Sequence, residues 1–212
     1  EIGSGLVGSE MCIRDRLVVG VAVYLVTRKK SSNKKSFWTA KTMAVGAMCM
    51  ALSSVLSLIK LWPMPMGGSV TPASMLPLLL FAYCYGVGPG MVLGALYGVM
   101  QFLLDGMAWA ALGAIPNLLD YPIAFGLLGL AGCFRGSKAK MTAGFVLGCF
   151  GRFMASFLSG FIFYGQYAPE GVNPVWYSLT YNGSYMLVEC IICIALGLLV
   201  GERLAKELKK VA

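Results

Sequence analysis

Residues Val175–Glu202 read VWYSLTYNGSYMLVECIICIALGLLVGE, an apolar run with one charged side chain, Glu189, ahead of its terminal glutamate. The run is longer than the about 20 residues that an α-helix needs to cross a bilayer. Comparable runs recur along the chain, which is 58% hydrophobic and 12% charged. A soluble domain carries about 25% charged residues, so the sequence predicts an integral membrane protein.

Six transmembrane helices are predicted after residue 38, and turn-forming prolines and glycines separate them. The second is short for a straight span and is expected to include part of the loop before it. The prediction is an all-α membrane protein built as a six-helix bundle. The predicted spans are Thr39–Leu61, Pro72–Tyr85, Pro89–Leu104, Ala108–Phe134, Met141–Tyr164 and Val175–Glu202.

Lysine and arginine indicate how this bundle is oriented. They cluster at 28–35, 135–140 and 203–210, and six spans place all three clusters on one side. Because such residues favour the cytoplasm, both ends of the core are predicted to be cytoplasmic. The loops predicted for the opposite side contain no lysine or arginine: 62–71, 105–107 and 165–174.

The N-terminal residues are interpreted separately from the bundle. The stretch 6–16 reads LVGSEMCIRDR and resembles one translated frame of a transposon-based sequencing adapter. We therefore interpret residues 1–16 as an assembly artefact and exclude them from fold reasoning. Residues 17–38 are expected to form an apolar segment and a basic cytoplasmic linker, 39–205 the six-helix membrane domain, and 206–212 a basic cytoplasmic tail.

Composition weakens several classes of function. The chain contains no histidine, which removes the commonest general base and metal ligand. Cys190 and Cys193 are close together but lack the further ligands of a zinc site. The net charge of +8 comes mostly from clusters beside apolar runs, which indicates membrane orientation and no nucleic-acid partner. No GxxxxGK[ST] motif is present, so any ATP hydrolysis must come from another chain.

Three charged residues are predicted to lie well inside spans, away from the span ends. A carboxylate such as that of Asp120 is costly in an apolar span unless it faces a cavity or a partner. Asn117, one turn earlier, can share its face. Ligand contact and a structural contact between helices both remain open for Asp120. For Arg152 and Glu189, near mid-span, the simplest interpretation is that they pair with each other.

Aromatic side chains concentrate in the predicted outer half of the bundle. They could form a belt at the membrane surface, or a cage for a flat or cationic ligand. The pattern alone leaves both open. The residues are Trp62, Tyr97, Trp109, Tyr121, Tyr164, Tyr167, Trp176, Tyr177 and Tyr181.

Small residues form a stripe along the first span, which lets another helix approach closely. Whether that helix is internal or belongs to a partner chain does not follow from the spacing. The stripe consists of Ala40, Ala44, Ala47, Ala51 and Ser54.

Four motifs resemble the thiamine-specific substrate-binding (S) components of energy-coupling-factor (ECF) vitamin transporters. They are PMGGSVT at 65–71, LDYP at 119–122 with GLAG at 129–132, FLSG at 157–160 through QYAPEG at 166–171, and YSLTYNGSYM at 177–186. The resemblance covers roughly residues 40–205. It implies a six-helix, multi-pass protein of a bacterial plasma membrane that binds thiamine with high affinity and is not an enzyme.

The resemblance also implies a pocket near the outer surface, formed by helices 4 to 6 and capped by the loop between the first two helices. Asp120 would hydrogen-bond the aminopyrimidine of thiamine. Tyr121, Tyr177 and Asn182 would add polar contacts, and Tyr164 would occupy a stacking position. The remaining implied ligand residues are Tyr97, Trp109, Ser156, Gly68 and Ser69.

The implied partners are a transmembrane coupling subunit and two ATPase subunits. Ala47 and Ala51 match the family's small-residue motif, which docks onto the coupling subunit. Thiamine would be a transported ligand, with no cofactor and no metal ion implied.

This chain departs from the family pattern at three positions. Ser156 stands where members often have histidine, Asp120 where a glutamate is familiar, and Tyr164 where some have tryptophan. These changes could shift the preference to a related pyrimidine or thiazole precursor. A small lipid-modifying membrane enzyme and a stand-alone channel or secondary transporter are the competing functions. Single acids on separate helices and the lack of histidine argue against the enzyme.

Overall fold

The computed structural model describes residues 38–64, 68–107, 113–169 and 171–211. The predicted artefact at 1–16, and the predicted segment 17–38 except for Trp38, lie outside these residues. The described chain is helical apart from one short hairpin. Its principal helices are α1 Ala40–Leu58, α2 Leu76–Tyr85, α3 Val87–Gln101, α4 Ala114–Cys133, α5 Lys138–Phe163, α6 Pro174–Leu196 and α7 Glu202–Val211.

Several of these helices contain or continue into irregular turns. A π-helical turn, Phe102–Gly106, extends α3, and another, Gly197–Gly201, joins α6 to α7. Within α4, the π-helical turn Leu119–Ile123 interrupts the α-helix, and the 3₁₀ turn Leu128–Cys133 ends it. Such π-helical turns are rare and frequently lie at functional sites.

Among the described residues, five helices are long and apolar enough to cross a membrane. The sixth apolar helix, α2, has only ten residues but is buried along its whole length, so it packs as a core element among the longer helices. The short second span expected from the sequence is therefore a helix preceded by a non-helical turn at 71–75. The membrane-length helices are Ala40–Leu58, Val87–Asp105, Ala114–Cys133, Lys138–Phe163 and Pro174–Leu208.

Polar side chains begin three of the helices. The hydroxyls of Thr39 and Ser137 accept from backbone amides in the first turns of α1 and α5, at 3.2 and 3.3 Å. The Asn173 side chain accepts from the Val175 amide at 2.9 Å, with Pro174 at the first position of α6. These caps satisfy amides that lack a partner within the helix.

A two-stranded antiparallel hairpin, β1 Trp62–Pro63 and β2 Ser69–Val70, follows α1. The predicted first helix reaches Leu61, but α1 ends at Leu58 because the chain there enters the hairpin. The Leu61 amide donates to the Val70 carbonyl at 2.9 Å, which closes the base of the hairpin. On the predicted topology this hairpin lies on the outer side.

Close contacts at glycines bring α3 and α4 together. Gly90, Gly94 and Gly98 recur every four residues on one face of α3. A Cβ atom at Gly94 would collide with the Phe125 carbonyl, and one at Gly98 with the Tyr121 carbonyl. Because no side chain stands between them, the two backbones touch. This contact fixes the segment of α4 that carries Tyr121 and its neighbour in the sequence, Asp120.

A pair of alanine substitutions tests this contact. Gly94→Ala is expected to lower the thermal unfolding temperature, because the new methyl group forces the two backbones apart at a cost of about 1–3 kcal/mol. Gly183→Ala in α6 is the matched control, since a Cβ there comes no closer than 3.9 Å to the Phe153 ring, an ordinary contact distance. It should leave the protein unchanged or slightly more stable, because alanine favours the helix. Equal effects of the two substitutions would contradict the contact.

Candidate ligand-binding cavity

A polar cavity lies between the hairpin and helices α3 to α6. Its space amounts to about 1020 Å³, counting the part open to solvent. Trp109 lies outside the described residues. The structure brings the other predicted ligand residues together in the cavity wall: Gly68, Ser69, Tyr97, Asp120, Tyr121, Ser156, Tyr164, Tyr177 and Asn182.

Asp120 faces this cavity from the π-helical turn of α4. That turn contains Pro122, which has no amide to continue the regular helical bonding. The Ser159 hydroxyl donates to the Asp120 carboxylate at 2.8 Å, and the hydroxyls of Ser156 and Tyr164 lie close to it. One hydroxyl thus holds the carboxylate and two more lie beside it, all from α5 or the residue that ends it.

Asn117 does not join Asp120 in the cavity wall, contrary to the expectation that the two share a face. It is buried, and its amide nitrogen donates to the Gly113 carbonyl at 2.7 Å. The π-helical turn begins between the two residues and changes the angle between their side chains, which the spacing of an ideal helix did not anticipate.

A row of tyrosines on α6 supports the hairpin. The rings of Tyr177 and Tyr181 stack with centroids 6.1 Å apart, and Tyr185 meets Tyr181 edge-on at 5.9 Å. The Gly68 amide donates to the Tyr181 hydroxyl at 3.3 Å. A Cβ atom at Gly68 would lie 2.8 Å from the Tyr185 ring, so only glycine lets the hairpin settle this closely. Hairpin and cavity wall are therefore in direct contact.

Asn182 links α5 to α6 beside the tyrosine row. Its amide nitrogen donates to the carbonyls of Ser178 and Ser156 at 3.1 and 3.3 Å, and its oxygen accepts from the Tyr185 hydroxyl at 3.1 Å. A Cβ atom at Gly160 would lie 2.9 Å from this nitrogen. Tyr177 and Asn182 lie on different sides of an ideal helix, and both line the cavity.

The predicted pairing of Arg152 with Glu189 is confirmed at the inner end of the cavity. The Arg152 Nη1 atom is 3.7 Å from Glu189 Oε2, and the guanidinium carbon lies 4.2 Å from the centroid of the Phe125 ring. The other Glu189 oxygen accepts from the hydroxyls of Thr71 and Ser74, the latter at 2.8 Å. Glu189 thereby connects α6 to the residues just after the hairpin.

The charges around the cavity are matched except at one position. Lys60 contacts both carboxylate oxygens of Asp105 at 2.8 and 3.1 Å. Arg152 offsets Glu189 at the inner end. Among the described residues of the wall, this leaves Asp120, which accepts from the Ser159 hydroxyl, as the acid without an ion-pair partner. Such a cavity favours a ligand that carries one positive charge.

Comparison with known proteins identifies the family. Residues 43–208 match the family described as Thiamine transporter protein (Thia_YuaJ). The chain belongs to this family. The thiamine transporter ThiT of Bacillus subtilis (strain 168) is 38% identical over 144 residues, which are 61% of this chain and 73% of that protein. ThiT of Lacticaseibacillus paracasei is 33% identical over 134 residues, 57% of this chain and 67% of the relative.

Two solved structures share the fold. A structure titled "Native-SAD phasing for ThiT from Listeria monocytogenes serovar." superposes with a TM-score of 0.69 at 21% identity, over 79% of this chain and 96% of that one. A second, titled "Structure and mechanism of the S component of a bacterial ECF transporter", gives a TM-score of 0.55 at 19% identity, over 80% and 98%. Both are matched almost end to end.

Family membership confirms the predicted resemblance to thiamine transport proteins. The family is one of transporters and not of enzymes, so the membrane-enzyme alternative is set aside. The helices of membrane length agree with a multi-pass protein of a bacterial plasma membrane.

Several residues in the cavity wall of this chain were not predicted as ligand residues. Thr71 ends the PMGGSVT motif and Ser74 follows it, but neither was singled out, because hydroxyls beside a loop are common in any sequence. Asp105 was noted only as an acid in an outer loop. Arg152 and Glu189 were recognised as an intramembrane pair, but their spacing did not show that the pair reaches the cavity. The other additions are Ser57, Gln101, Phe125, Gly160, Ser178, Tyr181 and Tyr185.

Proposed function

We propose that this chain captures thiamine as the S component of an ECF importer. The observation that carries this proposal is the unmatched Asp120 carboxylate in a cavity lined with tyrosines. Thiamine is a monovalent cation with a flat aminopyrimidine ring, so its charge and shape both suit this wall. The names of the B. subtilis and L. paracasei relatives agree with this ligand.

In the proposed complex, the exocyclic amine of the aminopyrimidine donates to Asp120. Ser159 already holds that carboxylate by a hydrogen bond, so the acceptor is in place before the ligand arrives. The thiazolium ring lies against tyrosine faces, with Tyr164 and Tyr177 as the stacking candidates. Tyr121 and Asn182 contribute polar contacts, and Tyr97, Ser156, Gly68 and Ser69 complete the wall. Trp109 stays a predicted ligand residue.

We further propose six spans with both ends of the core in the cytoplasm and the hairpin outside. The predicted cytoplasmic clusters support this, because Lys138 and Glu202 approach within 3.8 Å and so bring two of them to the same end of the bundle. Lys60 lies on the opposite side, but its charge is offset by Asp105. In this organisation, residues 17–38 are a cytoplasmic linker, 39–205 the binding domain and 206–212 a basic tail.

Energy for transport would come from partner subunits. The sequence contains no phosphate-binding motif, so we propose a transmembrane coupling subunit and two ATPase subunits as partners. The exposed face of α1 is the proposed contact with the coupling subunit, because Ala47 and Ala51 lie on it. The ligand itself needs no gradient to bind.

Titration calorimetry on the purified chain tests the ligand. Thiamine is expected to bind with one site per chain in the absence of a gradient, ATP or any partner. The aminopyrimidine and thiazole halves, titrated separately, should each bind far more weakly, because each keeps only part of the contacts. Tight binding of the aminopyrimidine half alone would make a pyrimidine precursor the ligand. Lack of thiamine binding would reject the proposed function.

A further inference from the structure

Positively charged side chains collect at the end of the bundle where α7 lies, opposite the hairpin. The Tyr85 hydroxyl of α2 donates to the Leu208 carbonyl of α7 at 2.8 Å, and α1 also contacts α7. The Arg135 guanidinium lies against the backbone of Gly86, where α2 meets α3. We call this the basic end of the bundle. Its exposed cationic residues are Lys41, Arg135, Lys138, Lys140, Arg203, Lys206 and Lys210.

Acidic side chains offset only a small part of this charge. Glu202 lies 3.8 Å from Lys138, and Glu207 lies 2.6 Å from Lys210. These are the acids of α7, and each already has a lysine beside it. Among the residues that the structure describes, the other cations of the basic end have no ion-pair partner. The basic end therefore presents a surface of uncompensated positive charge that suits an anionic partner.

The length of α6 indicates how deep these cations lie in the membrane. Its 23 residues extend about 34 Å, slightly more than the hydrocarbon core of a bilayer, which is about 30 Å thick. The exposed side chains of Leu196, Leu199 and Val200 therefore mark the end of the acyl region, and Arg203 follows three residues later. Beyond it, α7 packs against α2 with Ala205 buried, so its cations stay close to the bundle. This places them at the depth of the lipid headgroups.

We propose that the basic end binds anionic phospholipid, with the headgroup phosphate at Arg203 and Lys206 and an acyl chain along Leu196 and Leu199. The two cations are three residues apart on α7 and so share a face, and basic clusters at the end of a span attract anionic headgroups. The exposed leucines favour a lipid over a free phosphate or an acidic protein segment, because neither of those would cover them. This inference goes beyond thiamine capture and does not depend on which ligand the cavity binds.

The test compares phosphatidylglycerol with phosphatidylcholine of the same acyl chains. Native mass spectrometry of the purified chain in uncharged detergent, titrated with each lipid, gives the dissociation constants. Each lysine or arginine near an anionic headgroup contributes about five-fold in affinity. The parent should therefore bind phosphatidylglycerol at least about 25-fold more tightly. The double variant Arg203→Gln/Lys206→Gln should lose about 25-fold for phosphatidylglycerol and be unchanged for phosphatidylcholine.

Two single variants with the same change in net charge provide the matched control. Lys206→Gln should cost about five-fold for phosphatidylglycerol, whereas Lys60→Gln, beside the hairpin, should cost nothing. If the double variant does not fold, this pair carries the test. Equal losses in the two single variants, or equal affinities of the parent for both lipids, would overturn the inference.

Competition experiments distinguish the lipid from the other anionic occupants. Neither glycerol phosphate nor a polyglutamate peptide should displace bound phosphatidylglycerol when present at the same concentration as the lipid. Displacement by glycerol phosphate would make the basic end a free-phosphate site, and displacement by the peptide would make it a surface for an acidic protein segment. Either result would overturn the assignment to a lipid.

Discussion

Asp120→Asn is expected to weaken thiamine binding by about 10- to 150-fold, because a hydrogen bond to a charged group is worth about 1.5–3 kcal/mol. Asparagine keeps the size of the side chain, and its oxygen can still accept from Ser159, which now donates at 2.8 Å. What is lost is the charge that we propose for Asp120 in the bound state. Titration calorimetry on the purified parent and variant measures the difference.

Two smaller substitutions distinguish the charge of Asp120 from the hydroxyl groups around it. Ser159→Ala removes the hydroxyl that donates to Asp120, and Ser156→Ala removes one that lies close to it, while the carboxylate stays in place. Ser159→Ala should weaken binding by about 2- to 10-fold, the range of an ordinary hydrogen bond. Ser156→Ala should cost less, because this serine fills space beside the carboxylate. A loss as large as that of Asp120→Asn would mean that the hydroxyls contact the ligand themselves.

Oxythiamine, which has oxygen in place of the amine, provides the ligand side of the same experiment. It should bind the parent weakly, because it offers Asp120 an acceptor instead of a donor. It should also lose much less than thiamine on Asp120→Asn. If thiamine affinity is unchanged in this variant, Asp120 does not contact the ligand, and Glu189 remains as the acid to examine.

The long helices were predictable because each carries an apolar run of membrane length and ends at turn residues. The end of α1 at Leu58 was not predictable, since Ile59 and Leu61 continue the apolar sequence on either side of Lys60. The chain leaves the helix there because Leu61 pairs with Val70 across the hairpin, a contact between residues on either side of a loop. Such a pairing between distant residues cannot be predicted from the local sequence. For the same reason the burial of α2 follows from its neighbours and not from its own ten residues.

The site was predictable where a motif carried it and not where tertiary contact made it. Asp120 and Asn182 came from recognisable motifs, and both face the cavity. Glu189 illustrates the opposite case, because its importance depends on Thr71, more than a hundred positions earlier in the chain. The π-helical turn at Leu119–Ile123 also escaped prediction, since the ideal helical angles used for Asn117 and Asp120 assume an unbroken helix.

Ala47→Trp or Ala51→Trp is expected to abolish thiamine uptake by cells while leaving binding by the isolated chain intact. Both alanines are exposed on α1, whereas Val45, Cys49 and Ser53 on the other side of the helix are buried in the bundle. An indole ring on the exposed face would keep a partner helix from approaching closely. It would not reach the cavity. Among the described residues of α1, the cavity wall includes Ser57 and neither alanine.

Leu187→Trp on α6 is the matched control, because this leucine is 64% exposed on another helix of the bundle. The same bulky ring there should leave uptake unchanged, since no partner is proposed for that face. Uptake of radiolabelled thiamine and calorimetry on the purified variants give the two readouts. If binding falls as much as uptake in the alanine variants, the stripe serves internal packing. If uptake survives in both, the coupling subunit docks elsewhere, because a small-residue face that tolerates an indole ring is not a site of close helix contact.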